Sequence, residues 1–209
     1  HRLFRRQRQM CIRDSINRSG NSVMSHPLAG TAPKSDDADL DQTSRQKLLD
    51  STKDAYEHKV TIEWLLNELL PFCSYVDADP EPKVVSLEHV HHLGTEVAGQ
   101  LSSPPCSILE LVNALHPTPA VGGDPQTEAL TIIKRVEGID RRRYAGPVGW
   151  LAADGDGEFA VGIRSAEVEA NTARLFAGVG LVEDSDPQSE LEETEAKFKT
   201  MLNTFLSTT

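Results

Sequence analysis

Glu190 and Glu193 stand three apart in Glu190-Leu-Glu-Glu-Thr-Glu-Ala-Lys197, and Lys197 follows Glu193 by four. On a helix those intervals bring all three side chains to one face. Two carboxylates and an ammonium so placed could hold a divalent cation and an anion side by side. They could equally form a solvated first turn, with acidic residues complementing the helix dipole and an ordinary Glu–Lys pair behind them. Asp54 and Glu57 repeat the interval of three in Lys53-Asp-Ala-Tyr-Glu-His58. Two helices that each present carboxylates could enclose a hard cation such as Mg²⁺, which takes oxygen ligands and keeps several waters.

Groups suited to an anion lie elsewhere in the chain. Gly30-Thr31 offers close backbone approach, an amide and a hydroxyl. Arg164 carries a planar fork that matches a carboxylate, or serves as a plain surface arginine. His91 and His92 are adjacent in a strand-like run, so they point to opposite faces and cannot both serve one metal. One is expected to face a ligand and the other the surface, with a satisfied structural role open to either.

The elements that must position these groups follow from periodicity and punctuation. Gly20-Asn21 marks a turn into a short strand, and Ser35 to Asp41 reads as an exposed, mobile acidic loop. Leucines from Leu48 to Leu70 recur mostly at three and four, which predicts one long helix from about Thr43 to Leu70, ended by Pro71. Val84 to Leu87 predicts a strand and Ser107 to Leu115 a helix bounded by His116-Pro-Thr-Pro119. Thr127 is expected to cap a further helix with Ala129, Leu130, Ile133 and Val136 inward. From Tyr144 the period becomes that of strands. Tyr144 to Leu151, Phe159 to Ala166 and Ala173 to Val182 predict an antiparallel meander with turns at Asp154 to Gly157 and at Ala170-Asn171. Gly146, Pro147 and Gly149 mark its first strand as an edge or a bulge.

The chain has 209 residues and a formal charge of -11, enough for one globular domain and unfavourable to nucleic acid or anionic membrane as partners. No apolar run is long enough to span a bilayer. Cys11, Cys73 and Cys106 are too few and too scattered for a disulfide framework or a zinc site, which suits a reducing cytoplasm. The head differs in kind: His1 to Ser15 holds five arginines against Asp14. Its segment Arg8-Gln-Met-Cys-Ile-Arg-Asp-Ser15 resembles the translation of a transposase sequencing adapter. Residues 1–15 are therefore expected to be foreign to the fold, with a basic tail or transit peptide as the alternative, and residues 16–209 to form the domain.

Seven motifs, in order, closely resemble the C-terminal half of the chorismate-binding enzymes: Pro27-Leu-Ala-Gly-Thr31, Glu57-His58, His92-Leu93, Arg143-Tyr-Ala-Gly-Pro-Val-Gly149, Ile163-Arg164, Ala177-Gly-Val-Gly180 and Glu190-Leu-Glu-Glu-Thr-Glu-Ala-Lys197. The resemblance runs from about Asn17 to the C-terminus. It implies an α+β fold, with antiparallel sheets sandwiched between helices, of which this chain would be the C-terminal portion. It implies Mg²⁺ held by Glu57 and Glu193, with Glu190 acting directly or through water. Gly30, Thr31 and His92 would line the ring site of chorismate; Tyr144, Arg164, Gly178, Gly180 and Lys197 would hold its enolpyruvyl carboxylate. These are binding roles. The family's general-base lysine and general-acid glutamate precede the Leu-Ala-Gly-Thr motif, where the adapter-like head stands, so no catalytic residue is assigned and the chain alone is expected to be inactive.

Leu115-His-Pro-Thr-Pro-Ala-Val-Gly-Gly-Asp-Pro125 bears on the branch of the family. Ammonia-using relatives resemble Pro-x-Gly-Thr-x-Ser-Gly-x-Pro-Lys here, whereas this chain has Ala120 for that threonine and Gln126 for that lysine. The form is similar to isochorismate synthases, in which water attacks C2 as the C4 hydroxyl departs. A salicylate- or anthranilate-synthase-type enzyme and a non-catalytic Mg²⁺- or chorismate-binding remnant are the alternatives. The isochorismate would feed menaquinone or a siderophore; the oligomeric state is left open.

Overall fold

Strand alternation sets the frame of the first part of the molecule. The computed structural model describes residues 16–87, 90–183 and 185–206; the head, residues 1–15, lies outside them. β1 (Ile16–Ser19) and β2 (Ser22–Ser25) form a hairpin whose loop is Gly20-Asn21, with Gly20 at φ +59°. Ile16, Arg18, Val23 and Ser25 are buried, while Ser19, Ser22 and Met24 face out. β3 (Leu28–Pro33), β4 (Cys73–Ala78), β5 (Lys83–Ser86), β6 (Val90–Gly94), β7 (Val97–Leu101), β8 (Pro147–Leu151) and β9 (Gly157–Val161) follow. Among the described residues they build an antiparallel six-stranded sheet in the order β4-β7-β2-β1-β9-β8 and a three-stranded sheet in the order β3-β6-β5. β8 is an edge strand, as Pro147 and Gly149 predict.

One face of the larger sheet is closed by two helices, α2 (Thr52–Leu69) and α3 (Ile108–Leu115). Ile16, Val23, Leu65, Leu69, Val97, Leu101, Ile108, Leu111, Val112 and Leu115 form this core. α3 starts where predicted: Ser107 Oγ accepts from the Glu110 amide and the Glu110 carboxylate accepts from the Ser107 amide. That reciprocal cap satisfies two amide donors that a helix start leaves orphaned. Buried Arg18 ties the β1–β2 turn to the β8–β9 turn. Its Nη1 donates to the Asp154 carbonyl at 3.1 Å and lies 3.2 Å from Asp156 Oδ1, which also accepts from the Gly20 amide at 2.8 Å.

The helix expected from Thr43 to Leu70 is two helices, α1 (Ala38–Asp50) and α2. Ser51 adopts an extended backbone, φ -73° and ψ 108°, and its Oγ accepts from the Asp54 amide, so it ends one helix and caps the next. The apolar period runs across this break because Leu48 of α1 and Leu65 and Leu69 of α2 are all buried. Ser35 to Asp41 is likewise a helix start rather than a free loop. Asp37 Oδ1 accepts from the amides of Asp39 and Leu40.

Contacts along the chain divide it into two units, residues 1–116 with 147–161, and residues 117–146 with 162–209. The second unit holds α4 (Pro119–Gly122), α5 (Gln126–Val136), the hairpin of β10 (Ser165–Glu169) and β11 (Thr172–Phe176), and α6 (Pro187–Leu206). The predicted meander is broken here. The strand expected from Phe159 to Ala166 is β9 and β10 in separate sheets, parted by Arg164 at φ +47°, which no strand accommodates. The Ala145 amide bonds the Gly162 carbonyl and the Gly162 amide bonds the Gly146 carbonyl, so the chain leaves the ladder in a compact crossing. α5 begins at Gln126 behind Pro125 with no side-chain cap, so Thr127 lies inside the first turn. Leu130 and Val136 are exposed; Ala129 and Ile133 are half-buried. With 20 residues against the 18 of α2, α6 is the longest described helix.

Candidate functional site

In the first unit the candidate residues gather around a bulge. Ala29 pairs with Leu93 and Ala32 with His91, so three steps along β3 match two along β6, and Gly30-Thr31 carries the extra residue. Gly30 sits at φ +65°, and a Cβ there would lie 2.9 Å from the Asp54 side chain. Left-handed backbone and a close neighbour thus both require glycine. The bulge turns the Gly30 carbonyl toward His92 Nδ1 at 2.7 Å, with Thr31 Oγ1 3.2 Å from the same nitrogen. A carbonyl only accepts, so Nδ1 donates. His92 is fully buried and Thr31 is exposed. A fixed imidazole therefore orients a solvent-accessible hydroxyl and the backbone beside it.

His91 is also fully buried, so neither histidine is a surface residue. Its ring lies between Ser86 Oγ at 2.9 Å on Nδ1 and Asp41 Oδ1 at 2.8 Å on Nε2, because α1 packs over that face of β6. Hydrogen bonding from His91, then from the Ser35 amide, holds the Asp41 carboxyl below the usual aspartate range. A lowered folded-state pKa contributes stability that is present above the unfolded value and lost as pH falls through the folded one. The thermal midpoint of the chain is therefore expected to exceed that of Asp41→Asn at pH 6. The gap should close as pH drops below about 4. A gap independent of pH in a melting series would assign it to geometry instead of charge.

Beside the bulge, α2 carries Glu57, exposed, and His58, buried. His58 Nε2 lies 2.7 Å from Thr95 Oγ1, while its buried Nδ1 has no hydrogen-bond partner among the described residues. Burial, then repulsion from His26, lowers its pKa to about 4, so the ring is neutral near pH 7.

In the second unit Tyr144, Gly178 and Lys197 meet although they come from three separate motifs. Lys197 Nζ donates to the Gly178 carbonyl at 2.9 Å and pairs with Glu193 Oε1 at 2.7 Å. The lysine side chain is 13% exposed against 45% for that of Glu193, so a largely enclosed ammonium is presented beside an open backbone turn. A Cβ at Gly178 would stand 3.0 Å from Tyr144 Oη, which keeps that turn glycine. The Tyr144 ring stacks on Phe176 with centroids 5.4 Å apart, and burial raises its phenol pKa. Arg141 links this turn to the Ala120 segment. Its backbone carbonyl accepts from the Tyr144 amide, and its guanidinium reaches Glu137 and, at 2.8 Å, the Val121 carbonyl in α4.

The remaining candidates are placed less closely. Arg164 is half-buried in the turn after β9 and does not lie on a strand. Gly180 is exposed, with no atom within 4 Å of where a Cβ would be. Ala120 is half-buried in α4. Glu190 lies in the first turn of α6 and Glu193 one turn on. Asp186 begins that helix, its carboxylate accepting from the Ser189 amide and hydroxyl at 2.9 Å each. Glu57, Glu190 and Glu193 are all hard oxygen donors of the kind Mg²⁺ takes. No group of three or more His, Cys, Asp or Glu is gathered among the described residues. One or two carboxylates with waters suffice for that ion.

The profile of the family described as "Chorismate binding enzyme" matches residues 16–206. The chain belongs to the chorismate-binding enzyme family. Isochorismate synthase DhbC of Bacillus subtilis is 44% identical over 187 residues, 90% of this chain and 47% of that protein. The crystal structure of a putative 2,3-dihydroxybenzoate-specific isochorismate synthase from Bacillus anthracis matches with TM-score 0.87 and 46% identity, covering 91% of this chain and 51% of the other. The menaquinone-specific isochorismate synthase MenF of Escherichia coli matches with TM-score 0.81 and 31% identity, over 89% and 42%. The chain thus spans about half the length of the relatives it matches. Its mixed helices and antiparallel sheets agree with the expected fold. No described helix is long and apolar enough to cross a membrane.

Several residues beside the candidate groups had no role assigned to them by the sequence. Asp54 closes over Gly30, Thr95 holds His58, Phe176 stacks under Tyr144 and Arg141 braces α4. Asp54 was singled out as a carboxylate three before Glu57 and instead packs against Gly30, while Thr95 follows the His92-Leu93 motif by two residues. Phe176 and Arg141 carried no spacing signal.

Proposed function

We propose that the chain binds chorismate as the C-terminal part of an isochorismate synthase. The observation that carries this reading is the convergence of Tyr144, Gly178 and Lys197. There an enclosed ammonium, a phenol and a close-approach backbone turn are arranged as a carboxylate anchor. Lys197 supplies the charge and Arg164 a second cation for the enolpyruvyl carboxylate. Thr31, Gly30 and His92 position the ring, with His92 held in one orientation so that the Thr31 hydroxyl does not wander. Ala120 leaves room for water, which attacks C2 while the C4 hydroxyl departs. Glu57, Glu193 and Glu190 would hold Mg²⁺, which when bound neutralises and orients the ring carboxylate.

None of these residues is assigned proton transfer. General acid and base groups each contribute about 10²- to 10⁴-fold to rate. The chain alone is therefore proposed to bind chorismate without forming detectable isochorismate. Calorimetric titration with chorismate, with and without Mg²⁺, is expected to show saturable binding that Mg²⁺ strengthens. In Glu57→Gln the Mg²⁺ dependence should fall by about tenfold, worth 1.4 kcal/mol. Binding unaffected by Mg²⁺ in both proteins would sink the metal assignment. Turnover at an ordinary enzymatic rate, abolished by Glu193→Ala, would place the proton-transfer groups within this chain.

A further inference from the structure

Arg141 meets three parts of the second unit at once. Its Nε donates to Glu137 Oε2 at 2.7 Å and its Nη2 to Glu137 Oε1, so two prongs of the fork are held at the C-terminal end of α5. The remaining prong, Nη1, donates to the Val121 carbonyl at 2.8 Å. α4 is a single turn of four residues, and the last carbonyls of a helix find no partner within it. Arg141 supplies one of them with a donor. Its own carbonyl accepts from the Tyr144 amide at 2.8 Å, which closes the turn that carries the phenol.

The segments on either side of this fork are tightly built. Gly122 lies against Pro117, where a Cβ would stand 2.7 Å from the proline ring, and Gln126 Nε2 donates to the Pro117 carbonyl at 3.3 Å. Residues 117–126 thus fold on themselves, and the guanidinium fastens that loop to the Tyr144 turn. Within the turn, Arg142 at φ +50° and Ala145 at φ +63° hold a left-handed backbone without being glycine. Such backbone persists only where its surroundings over-determine it, and it gathers at functional sites. Charge ties the same groups together. Burial is the main cause that raises the Tyr144 phenol pKa; the Arg141 charge draws it back down and the Glu137 charge adds to the rise.

We propose that Arg141 is a positioning residue, which fixes the Tyr144 turn against the Ala120 segment so that the carboxylate anchor and the segment that admits water keep one spacing. Arg141 acts through Tyr144 and α4 and does not itself touch the substrate. A planar fork is needed for this, because it binds a carboxylate with two prongs and still aims a third donor at a carbonyl, whereas an ammonium is a point charge. The consequence for a ligand rests on the chorismate reading above; the tether itself does not.

The test has two arms, both on the 209-residue chain. In the free protein, amide exchange followed by NMR should be faster in Arg141→Gln by about tenfold or more at Gly122, Gly123 and Tyr144, while the β10–β11 hairpin of the same unit keeps its protection. Arg141→Lys should be equally fast at those amides. Ultraviolet titration, with Tyr144→Phe identifying the signal, should move the Tyr144 phenol to higher pH in Arg141→Gln, where Glu137 is left uncompensated, and leave it in place in Arg141→Lys. Glu137→Gln, which loosens the fork, should speed the same amides and serves if Arg141→Gln does not fold. Exchange that rises equally in the hairpin, or does not rise at all, would overturn the proposal, as would a phenol unmoved in Arg141→Gln. In the second arm, calorimetry with chorismate should show Arg141→Gln weakening binding by about tenfold in the parent and by less than about twofold in Tyr144→Phe. Equal losses in the two backgrounds would show that Arg141 does not act through Tyr144. A parent chain that binds no chorismate would remove the functional reading, and the first arm would still decide whether the tether exists.

Discussion

Lys197→Ala is expected to weaken chorismate binding by roughly 10- to 150-fold, the equivalent of losing one hydrogen bond to a charged group, worth about 1.5–3 kcal/mol. The lysine side chain is 13% exposed and its ammonium lies 2.9 Å from the Gly178 carbonyl, so the chain has already ordered the group before the ligand arrives. Little stability should be lost with it, because its partner Glu193 is nearly half exposed and pairs of that kind contribute about 0–1 kcal/mol. Lys197→Arg should not restore affinity, since a planar fork cannot replace a compact point charge that also donates to the carbonyl beneath it. Calorimetry on the three proteins, with melting midpoints alongside, checks both parts. An unchanged dissociation constant for Lys197→Ala would remove the anchor from the proposed function.

Leu111→Ala should lower unfolding free energy by about 2–5 kcal/mol, the range for truncating a buried leucine whose neighbours relax only partly. Leu111 has no exposed surface and belongs to the cluster that joins α3, α2 and the six-stranded sheet. Against a typical total of roughly 5–15 kcal/mol, that is enough to leave much of the protein unfolded on mild heating. Leu109→Ala, on the same helix but 47% exposed, should change stability by no more than about 0.5 kcal/mol. Urea titrations compare the two. Equal losses would mean that α3 does not pack in the orientation described.

What could be read before folding was governed by how local its cause is. The Gly20-Asn21 hairpin, the Ser107 cap and the turn at Ala170-Asn171 all depend on residues within a few positions, and all lie where their signals put them. The break at Ser51 was hidden because the apolar stripe continues through it. The interruption at Arg164 was hidden because a positive φ on arginine has no compositional mark. In the site, motif order brought forward Tyr144, Gly178 and Lys197, which do meet. The environment of His91 could not be read the same way: it depends on α1 folding back over β6, fifty residues away along the chain.

The bulge at Gly30-Thr31 has a bearing on which sequence changes this motif can absorb. Side-chain identity at several nearby positions can drift so long as each fits its pocket, but the number of residues cannot. Removing one residue from the bulge would restore an even ladder between β3 and β6 and turn every later side chain of β3 to the opposite face, sending Ala32 outward and Pro33 into the small core with Leu48 and Leu93. The motif is therefore constrained in its count before it is constrained in its chemistry, and natural or engineered variants should show substitutions there far more readily than gaps.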